Sequence, residues 1–257
     1  VKYVPENMKV ELSLKVPGNN AVNYKLHPDK LENSYFDYEW RSDNKLPITV
    51  FHKVEERDSC MRLTVQLTAA QDVYFNYRQL LSTGYRHDNC QFYMPGFWYR
   101  RNLRSPKKAP SFHTSDSWLV REDRLSAPLT GIFSEKEKRF MTVNRLDDFS
   151  MDALATHKEG EIILSGKTSL GFTGFENQQG IAMLSFGFPY REAPKSYIRK
   201  LTLAPEVEAF QLMKKGESVL LTWEIMESGA DDFSDFIQHT WEHCYDTYAP
   251  KPVENSY

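Results

Sequence analysis

The residues of this chain best suited to chemistry form a dense aromatic and basic run between positions 93 and 102. Flat aromatic rings can stack on the apolar faces of sugars, and arginine side chains can bond to hydroxyls or carboxylates. The same composition is typical of protein interfaces, so the run indicates either carbohydrate binding or contact between domains. The candidate residues are Tyr93, Phe97, Trp98, Tyr99, Arg100 and Arg101.

The same run can also be interpreted as purely structural, with no ligand. Phe97 and Tyr99 would alternate into a core, while Trp98 and Arg100 would cover a sheet edge or a neighbouring domain. A second cluster, from Trp118 to Pro128, raises the same choice. Its candidates are Trp118, Asp123 and Arg124. The two charged residues could hold a ligand through charge-assisted bonds, or fasten the start of a strand.

Motifs that would indicate a metal site are weaker evidence than the aromatic run. His239, Glu242 and His243 match the inverted zinc-protease pattern H-x-x-E-H, but that site needs a further acidic ligand from a later helix. The acidic group Asp147, Asp148 and Asp152 lacks the alternating ligands and central glycine of a calcium loop, and is expected to be a solvated turn. We therefore predict no metal site and no cofactor, and the catalytic residues of any reaction cannot be named from the sequence.

Composition narrows the possible partners. The chain has 257 residues, of which 40% are hydrophobic and 26% charged, and its formal net charge is -3. A chain of this charge has no field that would attract nucleic acid or an anionic membrane, so neither is an expected partner. The three cysteines are odd in number and far apart, which excludes a disulfide framework and fits no zinc spacing.

Alternation of apolar and polar residues predicts an all-β fold. The strongest segments are Met8 to Val16, Cys60 to Ala69 and Ser218 to Met226. Weaker strands fit Tyr35 to Arg41, Ile48 to Glu55, Val73 to Tyr77, Leu129 to Phe133, Arg139 to Asn144, Glu161 to Leu164, Ile181 to Phe186 and Tyr197 to Leu203. Some eleven strands with one polar face predict a large antiparallel β-sandwich. The longest interruption expected between strands is Gln91 to Ser117.

One amphipathic helix is predicted from Asp231 to Tyr248. An aromatic stripe recurs on it every three or four residues, and Asp231 or Asp232 can cap its first amides. Pro250 and Pro252 follow the helix, which suggests a connector. We divide the chain into a β-sandwich domain, 1–229, and a helix with a proline-containing connector, 230–257, that leads to a further domain outside this sequence. The alternative is a helix that folds back on its own sheet.

Taken in order, these features resemble a known family. The opening strand, Phe92 to Tyr99 with Asn102, Asp123 to Pro128, Trp223 and the aromatic helix are similar to the N-terminal β-sandwich of multidomain bacterial glycoside hydrolases. Such sandwiches resemble the galactose-mutarotase superfold and usually pack against an (α/α)6 toroid that carries the catalytic carboxylates. The resemblance implies a role in degrading an oligosaccharide or polysaccharide, in the periplasm or outside the cell. It implies the downstream toroid as a partner.

Three classes of function remain open. The first is a non-catalytic accessory domain, which a buried Trp98 and an exposed aromatic patch on the helix would favour. The second is a stand-alone carbohydrate-binding module, which needs a solvent-facing row of Trp98, Tyr99 and Trp118. The third is a mutarotase or epimerase type of enzyme, which needs a histidine and a carboxylate in one deep pocket. His87 and His113 lie nearest the aromatic run in sequence.

Overall fold

The computed structural model describes residues 4–57, 60–103, 109–148, 158–199 and 202–251. In this part of the chain there are nineteen strands and one α-helix, α1 (Phe233–Tyr248). The first nine strands are β1 (Met8–Lys15), β2 (Val22–Lys30), β3 (Tyr38–Arg41), β4 (Ile48–Glu56), β5 (Cys60–Ala69), β6 (Val73–Arg86), β7 (Cys90–Met94), β8 (Trp98–Arg100) and β9 (Trp118–Arg121). The others are β10 (Leu129–Ser134), β11 (Arg139–Arg145), β12 (Gly160–Ile163), β13 (Phe172–Gln178), β14 (Ile181–Phe188), β15 (Arg191–Glu192), β16 (Ser196–Arg199), β17 (Thr202–Ala204), β18 (Val207–Met213) and β19 (Ser218–Gly229).

These strands form a two-layered antiparallel sandwich, as predicted. The front sheet has the order β2-β1-β6-β14-β13-β9. The back sheet has the order β3-β4-β5-β19-β11-β10-β7-β8. Strand β18 joins the start of β6 and pairs in parallel with β12.

Strand β2 belongs to both sheets. Its first half, Val22 to Leu26, pairs with β1 of the front sheet, and its second half, His27 to Lys30, pairs with β3 of the back sheet. Pro28 lies at this change of partner, where the sheet curls and a ladder position without an N–H is tolerated. The two layers are therefore connected by one continuous strand at this corner.

The core lies between the layers and follows the predicted alternation. Leu63, Val65 and Leu67 of β5 point inward, as do Trp223 of β19 and Phe186 of β14. The rings of Trp223 and Phe186 lie 5.1 Å apart, which joins the two sheets directly. The inward and outward faces predicted for Cys60 to Ala69 are confirmed, because the residues between these apolar ones are only partly buried.

The predicted interruption at Gln91 to Ser117 is wrong in its first part. Strands β7 and β8 form a hairpin in which Met94 pairs with Trp98. Gly96, at the turn, has φ +79°, which favours glycine, and Phe97 N donates to Met94 O at 3.0 Å. All five residues of β7 are buried, so this strand shows none of the alternation on which the prediction relied.

Five other strands were not predicted, although their burial patterns differ from that of β7, and one predicted strand falls at the limit of the described residues. Neither β2, β9, β13, β15 nor β18 was predicted. In β13, Gly174 allows close approach to β9, because a Cβ at this position would lie 1.9 Å from Trp118 O. Of the predicted strand at 197–203, residues 200–201 lie outside the described part of the chain. The structure shows β16 and β17 on either side of them.

Helix α1 packs on the outer face of the back sheet of the same chain. Asp232 caps it, since its Oδ1 accepts hydrogen bonds from Ser234 N at 2.7 Å and Asp235 N at 2.9 Å. The buried residues of the helix are Phe233, Phe236, Thr240 and Cys244. Phe236 contacts Phe133 and Phe140 of the sheet, with ring centroids 6.0 and 4.9 Å away. Among the described residues, no helix is long and apolar enough to cross a bilayer.

Candidate functional site

The tryptophans of the aromatic run point into the core. Trp98 is 0% exposed, and its ring lies 5.3 Å from Trp118 and 5.2 Å from Phe175. The indole N–H groups of Trp98 and Trp118 donate to the backbone oxygens of Arg100 and Ser115, both at 2.8 Å. These contacts leave neither tryptophan free to stack on an external ligand.

The structural interpretation offered by the sequence is wrong at Trp98 and Tyr99, whose predicted positions are exchanged. Trp98 faces the core, whereas Tyr99 is 51% exposed and Phe97 is partly buried against the core. The turn at Gly96 decides which residues pair, and a shift of one residue exchanges the two faces of a strand. A solvent-facing row of Trp98, Tyr99 and Trp118 therefore does not exist.

The two arginines of the run bind groups of the protein itself. The guanidinium of Arg100 lies 4.9 Å above the ring of Phe233, which connects β8 with α1. Arg101 lies 4.9 Å above Phe112 and donates from Nε to Cys90 O at 3.0 Å. The Arg101 side chain thus holds the segment after β8 against the sheet, and residues 104–108 lie outside the described part of the chain.

Asp123 and Arg124 contact different partners. Asp123 Oδ1 accepts from Arg121 Nε at 2.5 Å. Arg124 reaches across to β15, where its Nη2 donates to Glu192 Oε2 at 3.0 Å. Glu192 lines a charged pocket, so Arg124 holds one of the side chains of its wall in position.

The charged pocket has a volume of about 430 Å³. Its charged lining consists of Arg78, Glu161, Glu176, Arg191, Glu192, Glu206 and Glu208. Arg191 pairs with Glu208 at 2.7 Å and donates to Asn76 Oδ1 at 2.7 Å, while Arg78 pairs with Glu176. No histidine occurs among the described residues that line it. The histidine and carboxylate required by an epimerase are not brought together here.

A second concavity lies beside α1, and the sequence patterns did not predict a site there. This aromatic groove has a volume of about 740 Å³ and is bordered by Ser126, Ala127, Trp241, Glu242, Cys244, Tyr245, Asp246, Tyr248 and Pro250. Trp241 is 40% exposed, Tyr245 65% and Tyr248 39%. The predicted aromatic stripe of the helix is thus divided, because one half packs on the sheet and the other half faces solvent.

Two of the three exposed rings of the groove, Trp241 and Tyr248, are held in position by hydrogen bonds. Trp241 Nε1 donates to Tyr93 Oη at 2.7 Å, and Tyr248 Oη donates to Arg145 O at 2.7 Å. Burial raises the pKa of Tyr93 and of Tyr248 to about 12, so both phenols are neutral at pH 7. Tyr93 also contacts Tyr99, with ring centroids 5.4 Å apart. One predicted residue of the aromatic run, Tyr93, therefore supports a ring of the groove from outside its lining, and Tyr99 packs against Tyr93.

The inverted zinc-protease pattern is not assembled. His239 Nε2 lies 3.5 Å from Asp235, one turn earlier on the helix, whereas His243 Nε2 lies 2.7 Å from Glu224 of the back sheet. Glu242 accepts from Gln238 on the exposed side. Asp147 of the acidic group accepts from Arg145 Nε and Thr222 N, which makes it a structural residue, and Asp152 lies outside the described residues.

No protein-family model and no curated protein matches this sequence. Among solved structures, a polysaccharide lyase matches 91% of this chain and 27% of its own, with 14% identity and a TM-score of 0.40. The Slr1438 protein from Synechocystis sp. PCC 6803 matches 84% of this chain and 73% of its own, with 7% identity and a TM-score of 0.43. A candidate kojibiose phosphorylase from the human microbiome matches 94% of this chain and 24% of its own, with 4% identity and a TM-score of 0.38. Two of these neighbours have names of carbohydrate-processing enzymes, but all three similarities are distant.

Proposed function

We propose that this chain is a non-catalytic β-sandwich of a carbohydrate-active enzyme, which packs against a helical catalytic domain and borders its substrate cleft. The aromatic groove is the observation that carries this proposal. Trp241, Tyr245 and Tyr248 keep large apolar surfaces in water at one place, and clustered exposed aromatic residues are typical of interaction surfaces. The partner that fits is an (α/α)6 domain encoded downstream in the same polypeptide.

The arrangement of the groove suits a protein partner. Its rings project from a helix that is itself fixed to the back sheet, so little side-chain freedom would be lost on association. Glu242 and Asp246 lie at its rim, where charged residues are expected in an interface with an apolar centre. A basic or hydroxyl-rich rim on the partner would match these carboxylates.

A stand-alone carbohydrate-binding module is the second candidate. Exposed Trp241 and Tyr245 rings beside the carboxylates of Glu242 and Asp246 could stack on a sugar and accept bonds from its hydroxyls. This use of the groove needs no other domain. It replaces the platform of Trp98, Tyr99 and Trp118, which the buried tryptophans rule out.

We do not propose that this chain catalyses a reaction by itself. In the charged pocket, Glu176, Glu192 and Glu208 each pair with an arginine of the same chain. A catalytic acid for glycoside cleavage must instead be free to reach the leaving-group oxygen of the substrate. The catalytic acids are expected in the helical domain.

The test compares this chain alone with the chain extended by whatever follows it in the parent reading frame, on a panel of plant and host glycans. We expect turnover only in the extended protein. The double change Trp241→Ala and Tyr245→Ala should then weaken the association of the separately produced parts by at least about 10-fold, as expected for central aromatic residues of an interface. Tyr35→Ala is the matched control, because Tyr35 is a similarly exposed tyrosine on another surface.

Two outcomes would change the assignment. Turnover of a glycan by this chain alone would overturn the accessory role. Saturable binding of an oligosaccharide to the free chain, measured by calorimetry and lost in the Trp241→Ala variant but not in Tyr35→Ala, would instead favour the carbohydrate-binding module.

A further inference from the structure

Three metal-ligating side chains from three elements meet beneath α1. Cys60 begins β5, Glu224 lies in β19, and His243 projects from the helix towards them. Their ligand atoms, one sulfur, one carboxylate oxygen and one ring nitrogen, all lie within 4.8 Å of one another. These residues are distant in sequence, which explains why no spacing motif revealed the cluster.

The carboxylate at the centre of this cluster is well supported. Glu224 Oε1 lies 2.7 Å from His243 Nε2 and accepts from Thr247 Oγ1 at 3.1 Å, while Arg62 Nη2 lies 3.4 Å from Oε2. Although burial raises the pKa of Glu224, the hydrogen bond from His243 and the other partners outweigh it and lower the pKa to about 2. The group is an anion at neutral pH, and only 2% of its side chain is exposed.

From these contacts we infer that Cys60, Glu224 and His243 form a site for a divalent zinc-type cation. Zinc prefers this donor set of thiolate sulfur, imidazole nitrogen and carboxylate oxygen. Around one tetrahedral zinc ion, such atoms lie about 3.4 to 3.6 Å apart. Pairs separated by up to 4.8 Å would therefore close by little more than about 1 Å on binding, and the His243 and Glu224 atoms, 2.7 Å apart, would separate by about 0.7 Å.

Neighbouring residues fit the same assignment. Thr247 and Arg62 would remain as outer partners of the Glu224 carboxylate, the kind of support that orients a metal ligand. The His243 side chain is 18% exposed, which provides a route from solvent and room for water as a fourth ligand. Burial and the Glu224 carboxylate raise the pKa of the Cys60 thiol, and a bound cation would offset this by stabilising the thiolate.

The involvement of Cys60 separates this inference from simpler explanations. An ordinary ion pair between His243 and Glu224 would not need the Cys60 thiol. A site of the H-x-x-E-H pattern would use His239 together with His243 and would not need Cys60 either. His239 is directed to Asp235, and Cys244, the other thiol under the helix, does not belong to the cluster of described ligand atoms. His239→Gln and Cys244→Ala are therefore matched controls for His243→Gln and Cys60→Ala.

The experiment titrates the metal-free chain with ZnCl2 against a chromogenic chelator, and with CoCl2 while absorbance is recorded. We expect one equivalent of either metal and a near-ultraviolet thiolate-to-cobalt band. Cys60→Ala and His243→Gln should weaken zinc binding by more than about 100-fold, beyond the usual loss from an outer partner, and both controls should bind as the wild type does.

Some results would overturn the inference. The absence of a thiolate-to-cobalt band in the wild-type protein would be enough to overturn it. This measurement does not depend on whether any variant folds. If His239→Gln lost as much zinc binding as His243→Gln, the metal would instead be bound by His239 and His243, the two histidines of the helix. The inference is independent of the accessory role, because zinc binding is measured without a glycan or a partner domain.

Discussion

At the scale of single residues, the aromatic run shows how similar side chains take different roles within one hairpin. Trp98 and Tyr99 are adjacent, yet one is fully buried and the other is half-exposed. Their residue types predict an aromatic cluster correctly. Which of them faces solvent depends on the turn at Gly96, and the sequence pattern did not reveal that register.

The burial of Trp98 leads to a stability prediction. Trp98→Ala should lower the free energy of unfolding by about 3–5 kcal/mol, because it removes a large core side chain and the packing of Trp118 and Phe175 around it. Tyr99→Ala should cost less than about 1 kcal/mol, since its ring is largely in solvent. Urea denaturation of both variants measures this difference, and equal costs would contradict the described hairpin.

At the scale of elements, the strand that alternates most clearly was predicted best, whereas strands buried at every position had mixed outcomes. β5 alternates along its whole length, and its predicted bounds are those observed. β7 and β10 are buried at every position, so a period of two gives no signal in either strand. β10 was still predicted, as Leu129 to Phe133, whereas β7 was not. The helix was predictable from its period and its cap, whereas the division of its stripe between sheet and solvent depends on tertiary packing.

A polar contact between elements of opposite sheets predicts a pH effect. His52 of β4 is buried, and its Nε2 lies 2.9 Å from Tyr77 Oη of β6. Burial lowers the pKa of His52 from 6.5 to about 3, so the folded protein keeps the ring neutral while the unfolded chain takes up a proton below pH 6.5. The stability that this neutral ring provides is complete above pH 6.5 and is lost as the pH falls towards 3.

Between pH 6.5 and about 5, above the range in which most carboxyl groups titrate, this site should remove about 2 kcal/mol from the free energy of unfolding. His52→Phe should abolish that part of the slope, although it also lowers stability at every pH. Denaturant midpoints at both ends of the range provide the measurement, with His239→Gln as control. An unchanged slope in His52→Phe would show that the folded protein protonates this ring as readily as the unfolded chain does.

At the scale of the whole molecule, one buried ion pair joins the two layers. Arg145 ends β11 of the back sheet, and its Nη1 lies 2.7 Å from Glu122 Oε2, directly after β9 of the front sheet. The same oxygen accepts from Gly171 N at 2.7 Å, just before β13. Both side chains are almost completely buried, so removing either one leaves the charge of the other buried without this partner.

Glu122→Gln should therefore lower the free energy of unfolding by about 3 kcal/mol, because it leaves the Arg145 charge buried with only Asp147 to balance it. Glu227→Gln is the matched control. It breaks the pair with Arg139, whose side chain is half in solvent, and should cost less than about 1 kcal/mol. Equal effects in thermal unfolding would mean that the two layers are not joined by this pair.

The position of α1 also has a consequence for how the molecule opens to water. The helix covers the back sheet on the side opposite the core, so β10 and β11 lie in the middle of three layers, and nearly every residue in them is buried. Their amide protons have no nearby solvent on either side and can exchange only when helix and sheet separate together. Local fluctuations would begin at β3 and β4, where many side chains are exposed or only partly buried, and the surface that supports the aromatic groove would be the last part of the protein to lose its shape.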